Sequence, residues 1–175
     1  MSQITEFFIN DGTDHRHRTL EDWLSSSDNS IEASHDKIQW IFPLHEISFH
    51  STNSPVLTPD DIEELQSSET SRDNVKRALI RFTKFLGILA PANEKRQKSW
   101  CHTGNHNLLR ITRAIRSLRL FGLEKQAQKF HEVVTNIGKQ YNIAKNTFSY
   151  WDDAMNADLY GSMTKRFLDE REIKL

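Results

Sequence analysis

One segment constrains the fold of this chain more than any other. Between Asn105 and Phe121, Leu108, Ile111, Ala114, Ile115 and Leu118 recur at three and four residues, which at about 100° per residue places them on one helical face. Arg110, Arg113, Arg116 and Arg119 spread over the remainder, and Gly122 supplies a C-terminal stop. Such a stripe has to be covered by other helices, and the flanking sequence offers them. Ala127, Phe130, Val134, Ile137 and Tyr141 form a second stripe from Leu123 onward, with Glu124 in a favourable first turn, so the two predict a hairpin of helices. Upstream, Val75, Leu79, Phe82, Leu86 and Leu89 predict a core-facing helix capped by Ser71 or Asp73 and stopped by Pro91. Downstream, Asn146 or Thr147 starts a last helix through Phe148, Trp151, Met155 and Leu159, after which Phe167 and Leu168 are expected to pack. The reading is an all-α, compact single-domain bundle of about six or seven helices with an N-terminal arm.

The arm is expected over residues 1–34, tied down by Ile4, Phe7, Phe8 and one amphipathic turn at Leu20, Trp23 and Leu24. The helical core is expected over 35–168 and a charged, fraying tail over 169–175. Ser34 or Asp36 is placed to cap a short turn before the apolar run Ile38 to Phe42, which Pro43 ends. Thr58, Pro59 and Asp61 announce a short helix through Leu65, and the polar, basic stretch Asn93 to Ser99 reads as a mobile loop. A length of 175 residues suits one domain, and a 37% hydrophobic, 27% charged composition with only 6 Gly and 4 Pro argues against a disordered chain. The single Cys101 excludes an intrachain disulfide, no apolar run approaches the roughly 20 residues of a membrane span, and no signal segment opens the sequence. A soluble, cytoplasmic protein without membrane insertion is expected.

The formal net charge of −1 hides a polar distribution. Residues 1–70 carry fourteen acids against three Lys or Arg, whereas 71–175 carry ten against twenty, and Lys95 to Arg119 holds seven basic residues with no acid. Either the acidic half folds over the basic half, or the basic segment stays exposed to steer an anion. The most physical candidate site is the start of the 105–121 helix, where unpaired N–H groups, Asn105, His106, Asn107 and the Arg110 fork would collect a phosphate or carboxylate. The competing reading has Arg110 or Arg113 paired internally with Asp36 or Glu46. His102, His106 and Cys101 do not amount to the converging ligands a zinc ion needs, so neither a metal nor another cofactor is expected. With a pI near 6.7 and no recognised module, nucleic acid is not the expected partner. Gly-rich nucleotide loops and serine elbows are also missing, which leaves the common sequence-readable enzyme classes without support.

Two stretches carry a resemblance. His35-Asp36-Lys37-Ile38-Gln39-Trp40-Ile41-Phe42-Pro43-Leu44-His45-Glu46 and Asn105-His106-Asn107-Leu108-Leu109-Arg110-Ile111-Thr112-Arg113 resemble, in order, the conserved region of the opioid growth factor receptor family. Leu57-Thr58, Trp100, Ser117-Leu118 and Gly122-Leu123 continue the parallel, and His45 stands where the family commonly has Arg. The resemblance implies the fold of that region, an enkephalin-type opioid peptide as ligand, and a nuclear or perinuclear location. Carried over residue by residue, it points to Gln39, Trp40, His106, Asn107, Arg110 and Arg113 as ligand-binding residues. The resulting expectation is a non-catalytic helical domain binding a peptide or small anionic ligand, Trp40 and Phe42 supplying apolar surface and His106, Asn107 and Arg110 the anion contacts. Two alternatives stay open. One is an enzyme with acid/base chemistry at His35 or His106 on a phosphorylated or carboxylated substrate; the other is a structural module docking a protein partner.

Overall fold

The computed structural model describes residues 1–47 and 53–159 of the chain. Phe167, Leu168 and the expected charged tail lie outside the described residues. Ten helices follow in order among the described residues: α1 (Gln3–Ile9), α2 (Leu20–Leu24), α3 (Asp28–Ala33), α4 (His35–Ile41), α5 (Pro59–Ser67), α6 (Glu69–Phe85), α7 (Glu94–Trp100), α8 (His106–Leu120), α9 (Glu124–Gln140) and α10 (Lys145–Asn156). The number exceeds the expected six or seven because the arm itself winds into three short helices. The one extended contact described is a bridge between Leu44 and Val56.

The α8 stripe is the organising surface. Ile111, Ala114, Ile115 and Leu118 are fully buried, and α9, α10 and the short α7 pack around them. On the other side α1, α5 and α6 form a second group, joined to the first through rings: Phe8 meets Phe121 at 4.9 Å and Phe42 meets Phe82 at 5.4 Å. Ile4, Phe7 and Phe8 are core residues, so the beginning of the chain packs into the same interior as α8.

Several local expectations need correction. The segment read as a mobile loop is α7: Asn93 accepts the Arg96 N–H at its start, and the fully buried Trp100 gives its indole N–H to Leu86 O at 2.8 Å at its end. Polarity misleads there because one anchored tryptophan is enough to hold a helix of about two turns. Helix α6 begins one turn earlier than Ser71 or Asp73 would set it, with Ser68 as cap, and it stops at Gly87 in the left-handed region (φ 73°) rather than at Pro91. Ser34 makes no capping hydrogen bond to the backbone; its hydroxyl goes to Asp36 instead. Helix α10 starts at Lys145, just before the expected Asn146 or Thr147.

The C-termini of these helices explain what the arginines do. None of α2, α3, α4, α5 and α10 carries a basic residue in its last turn, so their terminal carbonyls need donors from elsewhere. Arg81 donates to Ser26 O just beyond α2, Arg110 to Ile31 O and Glu32 O of α3, and Arg113 to Gln39 O and Phe42 O of α4. Arg72 reaches Gln66 O of α5, Arg96 reaches Phe85 O of α6, and Arg119 reaches Ala154 O and Ala157 O at the end of α10. A basic helix that looks like an anion attractor is, to a large extent, a set of clamps on other helix ends.

Candidate functional site

Two short helices bring the N-terminal chain against α8. Ile31, fully buried, fixes α3, and the apolar run of α4 lays Ile38 and Ile41 into the core, so Glu32, His35 and Gln39 come to face the start and middle of α8. The anion expected at the α8 start is present, and it is a residue of the chain: Glu32. Its carboxylate takes Asn107 Nδ2 at 3.3 and 3.4 Å and Arg96 Nη2 at 3.1 Å, and His106 Nε2 lies 2.7 Å from Oε1. Burial pushes the Glu32 carboxyl up, yet the hydrogen bonds from Asn107 and Arg96 and the charges of His106 and Arg96 outweigh it and leave the pKa below the ordinary value. Burial and the neighbouring Arg110 lower the His106 imidazole, with Glu32 opposing.

Arg110 is 6% exposed and serves the same junction. Besides the two α3 carbonyls it donates to Asn107 Oδ1 at 3.2 Å and stands 3.4 Å from His35 Nδ1. Arg113 adds Ser54 Oγ to its α4 carbonyls, and burial, followed by the charge of Arg116, lowers its pKa to about 10, so it remains charged at neutral pH. Neither arginine pairs with Asp36 or Glu46 as the internal reading had it. Asp36 goes to Arg18, and Glu46 goes to Arg116. The broader expectation that the acidic half meets the basic half does hold for particular pairs, since Glu21, Asp28, Glu32 and Glu46 meet Arg77, Arg81, Arg96 and Arg116.

Outside this junction lies a groove of about 570 Å³ between α4 and α8. His35, Ile38, Gln39 and Leu44 form one wall, and His106, Leu109, Arg110, Thr112, Arg113 and Arg116 form the other. Leu109, Thr112, Arg113 and Arg116 follow the i, i+3, i+4, i+7 rule of one helix stripe, and Leu109 is 65% exposed among the described residues. Among the described residues, no carboxylate lines the groove. Its basic walls pass, through the shared Thr112 and Arg116, to a second depression of about 320 Å³ that includes Glu46, Tyr150 and Asp153.

The structure thus brings together five of the six residues singled out from sequence: Gln39, His106, Arg110 and Arg113 line the groove, and the buried Asn107 supports it through Glu32 and Arg110. Trp40 is placed elsewhere. Its ring lies in the core against Phe7 and stacks on His15, its N–H reaching Asn53 O at 3.3 Å, and Phe42 is fully buried. The apolar part of the groove lining is Leu109, Ile38 and Leu44, of which only Leu109 is exposed. Sequence reasoning missed Glu32, Leu109 and Arg116. Leu109 and Leu120 are the two leucines of the 105–121 segment off its apolar face, and of the two only Leu109 is exposed. His35 and His106, with ring centroids 5.6 Å apart, do converge in one cleft, as the enzymatic alternative requires. Among the described residues, no group of three or more His, Cys, Asp or Glu is arranged to hold a metal ion, and no helix is long and apolar enough to cross a membrane.

A helical domain with a cation-walled groove between two of its helices is the class this geometry defines. Residues 7–157 match the family described as the opioid growth factor receptor conserved region, and the chain belongs to that family. It is 32% identical over 117 residues to the opioid growth factor receptor of Mus musculus, a match covering 60% of this chain and 18% of that protein. Against the Homo sapiens receptor it is 31% identical over 115 residues (60% and 17%), and against the Mus musculus opioid growth factor receptor-like protein 1 it is 32% identical over 108 residues (54% and 22%). The matched part is about a fifth of each relative's length. No solved structure matches the chain.

Proposed function

We propose that this chain is a non-catalytic binding domain whose α4/α8 groove takes a peptide or small ligand bearing an apolar side chain and an anionic group. The observation that carries the reading is the groove itself: an exposed Leu109 beside Ile38 and Leu44, in walls that contain, among the described residues, two imidazoles and three guanidiniums and no carboxylate. Its volume lies within the roughly 300–1,000 Å³ of sites for small ligands. The relatives bear the name of a receptor for an opioid growth factor, and a peptide ligand extends that name to this chain. Recognition of the anion would use guanidinium geometry, which matches a carboxylate in two parallel bonds.

The test is an NMR titration of isotope-labelled protein with N-acetyl-Leu-Phe, a dipeptide with apolar side chains and a free carboxylate. The expected outcome is saturable shifts at His35, His106, Leu109, Thr112 and Arg116, abolished by L109D, a change at an exposed position that leaves the fold intact. Millimolar probe with no shift at these residues overturns the reading. Appearance of a cleaved or transferred product in the same tubes would instead favour the enzymatic alternative at His35 and His106.

A further inference from the structure

The three groove arginines differ in what holds them. Arg110 and Arg113 donate to main-chain carbonyls of α3 and α4, and a ligand that drew them away would cost those carbonyls these donors. Arg116 differs, because its partner is the carboxylate of Glu46, a side chain 55% exposed on the segment that follows α4. The Arg116 side chain is 22% exposed and borders both the groove and the second depression. The hydrogen bond from Arg116 is also the largest influence holding the Glu46 carboxyl below its ordinary pKa, so the pair is formed and charged at neutral pH. Exposed ion pairs are worth little and exchange readily, whereas buried arginine-to-carbonyl contacts do not.

We infer that Arg116 is the residue that recognises the anionic group of the ligand, and that Glu46 is a built-in competitor which the ligand's carboxylate displaces. The inference rests on the groove reading above and assigns specificity within it. Glu46 enforces a requirement as well as a delay: a neutral ligand fails to replace it on Arg116, and the apolar wall at Leu109 alone holds such a ligand. Arg110 and Arg113 then set the positive field around the exchange while their forks stay on the backbone.

The experiment compares N-acetyl-Leu-Phe with its C-terminal amide on wild-type protein, E46Q and R116Q, by calorimetry and by NMR. In wild type the carboxylate probe binds more tightly than the amide. In E46Q its affinity rises about two- to fivefold, the range in which exposed ion pairs act, and the amide is unaffected. In R116Q the two probes bind alike. The Arg116 side-chain N–H signal moves with the carboxylate probe and stays put with the amide. Binding of both probes at Leu109 with no preference for the carboxylate, or an unchanged affinity in E46Q, overturns the role of Glu46 and Arg116 while leaving the groove reading standing. Absence of binding by either probe to any of the three proteins overturns both.

Discussion

Arg110 shows how much a single side chain is asked to do. Its fork joins the ends of α3 to the start of α8, and removing it leaves Ile31 O and Glu32 O without that donor in the interior. R110A is therefore expected to lower stability by about 2–4 kcal/mol, read as a shift in the urea midpoint, with or without ligand. H106A is expected to cost less than about 1 kcal/mol, because that side chain is 40% exposed and Glu32 keeps Asn107 and Arg96 as partners. An equal loss in the two variants would show that the contact with Glu32, rather than the carbonyl clamp, holds α3 to α8. Glu32 itself is testable through its neighbour. It opposes the burial and the Arg110 charge that lower the His106 pKa, so E32Q is expected to lower that pKa further in an NMR titration, whereas loss of a merely bystanding residue would leave it unchanged.

Elements with periodic stripes were legible in the sequence, and elements held by one anchor were not. Helices α8 and α9 declare themselves because Leu108, Ile111, Ala114, Ile115 and Leu118, then Ala127, Phe130, Val134 and Ile137, repeat over several turns. The seven residues of α7 have no room for a stripe, and their polar composition reads as loop. What makes them a helix is tertiary: Trp100 is fully buried with its N–H on Leu86 O, Gln97 donates to Gly87 O at 3.0 Å, and Arg96 lies 4.1 Å over the Phe85 ring. The candidate site was half visible for the same reason. Local sequence placed His106, Asn107 and Arg110 at a helix start, but the identity of Glu32 as the carboxylate beside Asn107 depends on a contact 75 residues apart. If α7 is an ordered helix, trypsin spares Lys95, Arg96 and Lys98 in the native protein. W100A, which empties the site of the largest class of buried side chain, is expected to cost about 3–5 kcal/mol and to open those bonds to cleavage. Rapid cutting there in wild type would contradict the packing described.

At the scale of the whole molecule, an acidic N-terminal half and a basic C-terminal half become one body through pairs such as Glu32 with Arg96 and Glu46 with Arg116, and their carboxyls titrate in the same direction as that of Asp36, whose partner Arg18 lies in its own half. Burial pushes up the carboxyls of Glu32 and Asp36, but hydrogen bonds and neighbouring cations outweigh it; for Glu46 the Arg116 hydrogen bond leads; all three end below the ordinary values of 4.5 and 3.8. A group whose folded pKa is depressed contributes stability that is present above its unfolded pKa and lost as pH falls through the folded one. These three therefore act below about pH 4.5. His106 is also depressed, here mainly by burial, so the unfolded chain takes up its proton first as pH falls from 6.5. Its protonation costs stability in the window that starts at 6.5 and ends below its folded pKa. On the alkaline side, burial raises the Cys101 thiol to about 11 from 9.0, so the unfolded chain ionises first and stability declines as pH climbs past about 9. The expected urea midpoint is flat between about pH 7 and 9, falls modestly toward pH 5 and steeply below about 4.5. H106N removes the first acid step and leaves the second, because the carboxylates of Asp36 and Glu46 keep their arginines, and C101A weakens the alkaline decline, leaving the part due to Tyr141, whose hydroxyl burial also pushes up. A midpoint that rises on acidification from pH 7 to 5 would mean that Glu32 governs His106 more strongly than burial and Arg110 do, and would reverse the sign assigned to that junction.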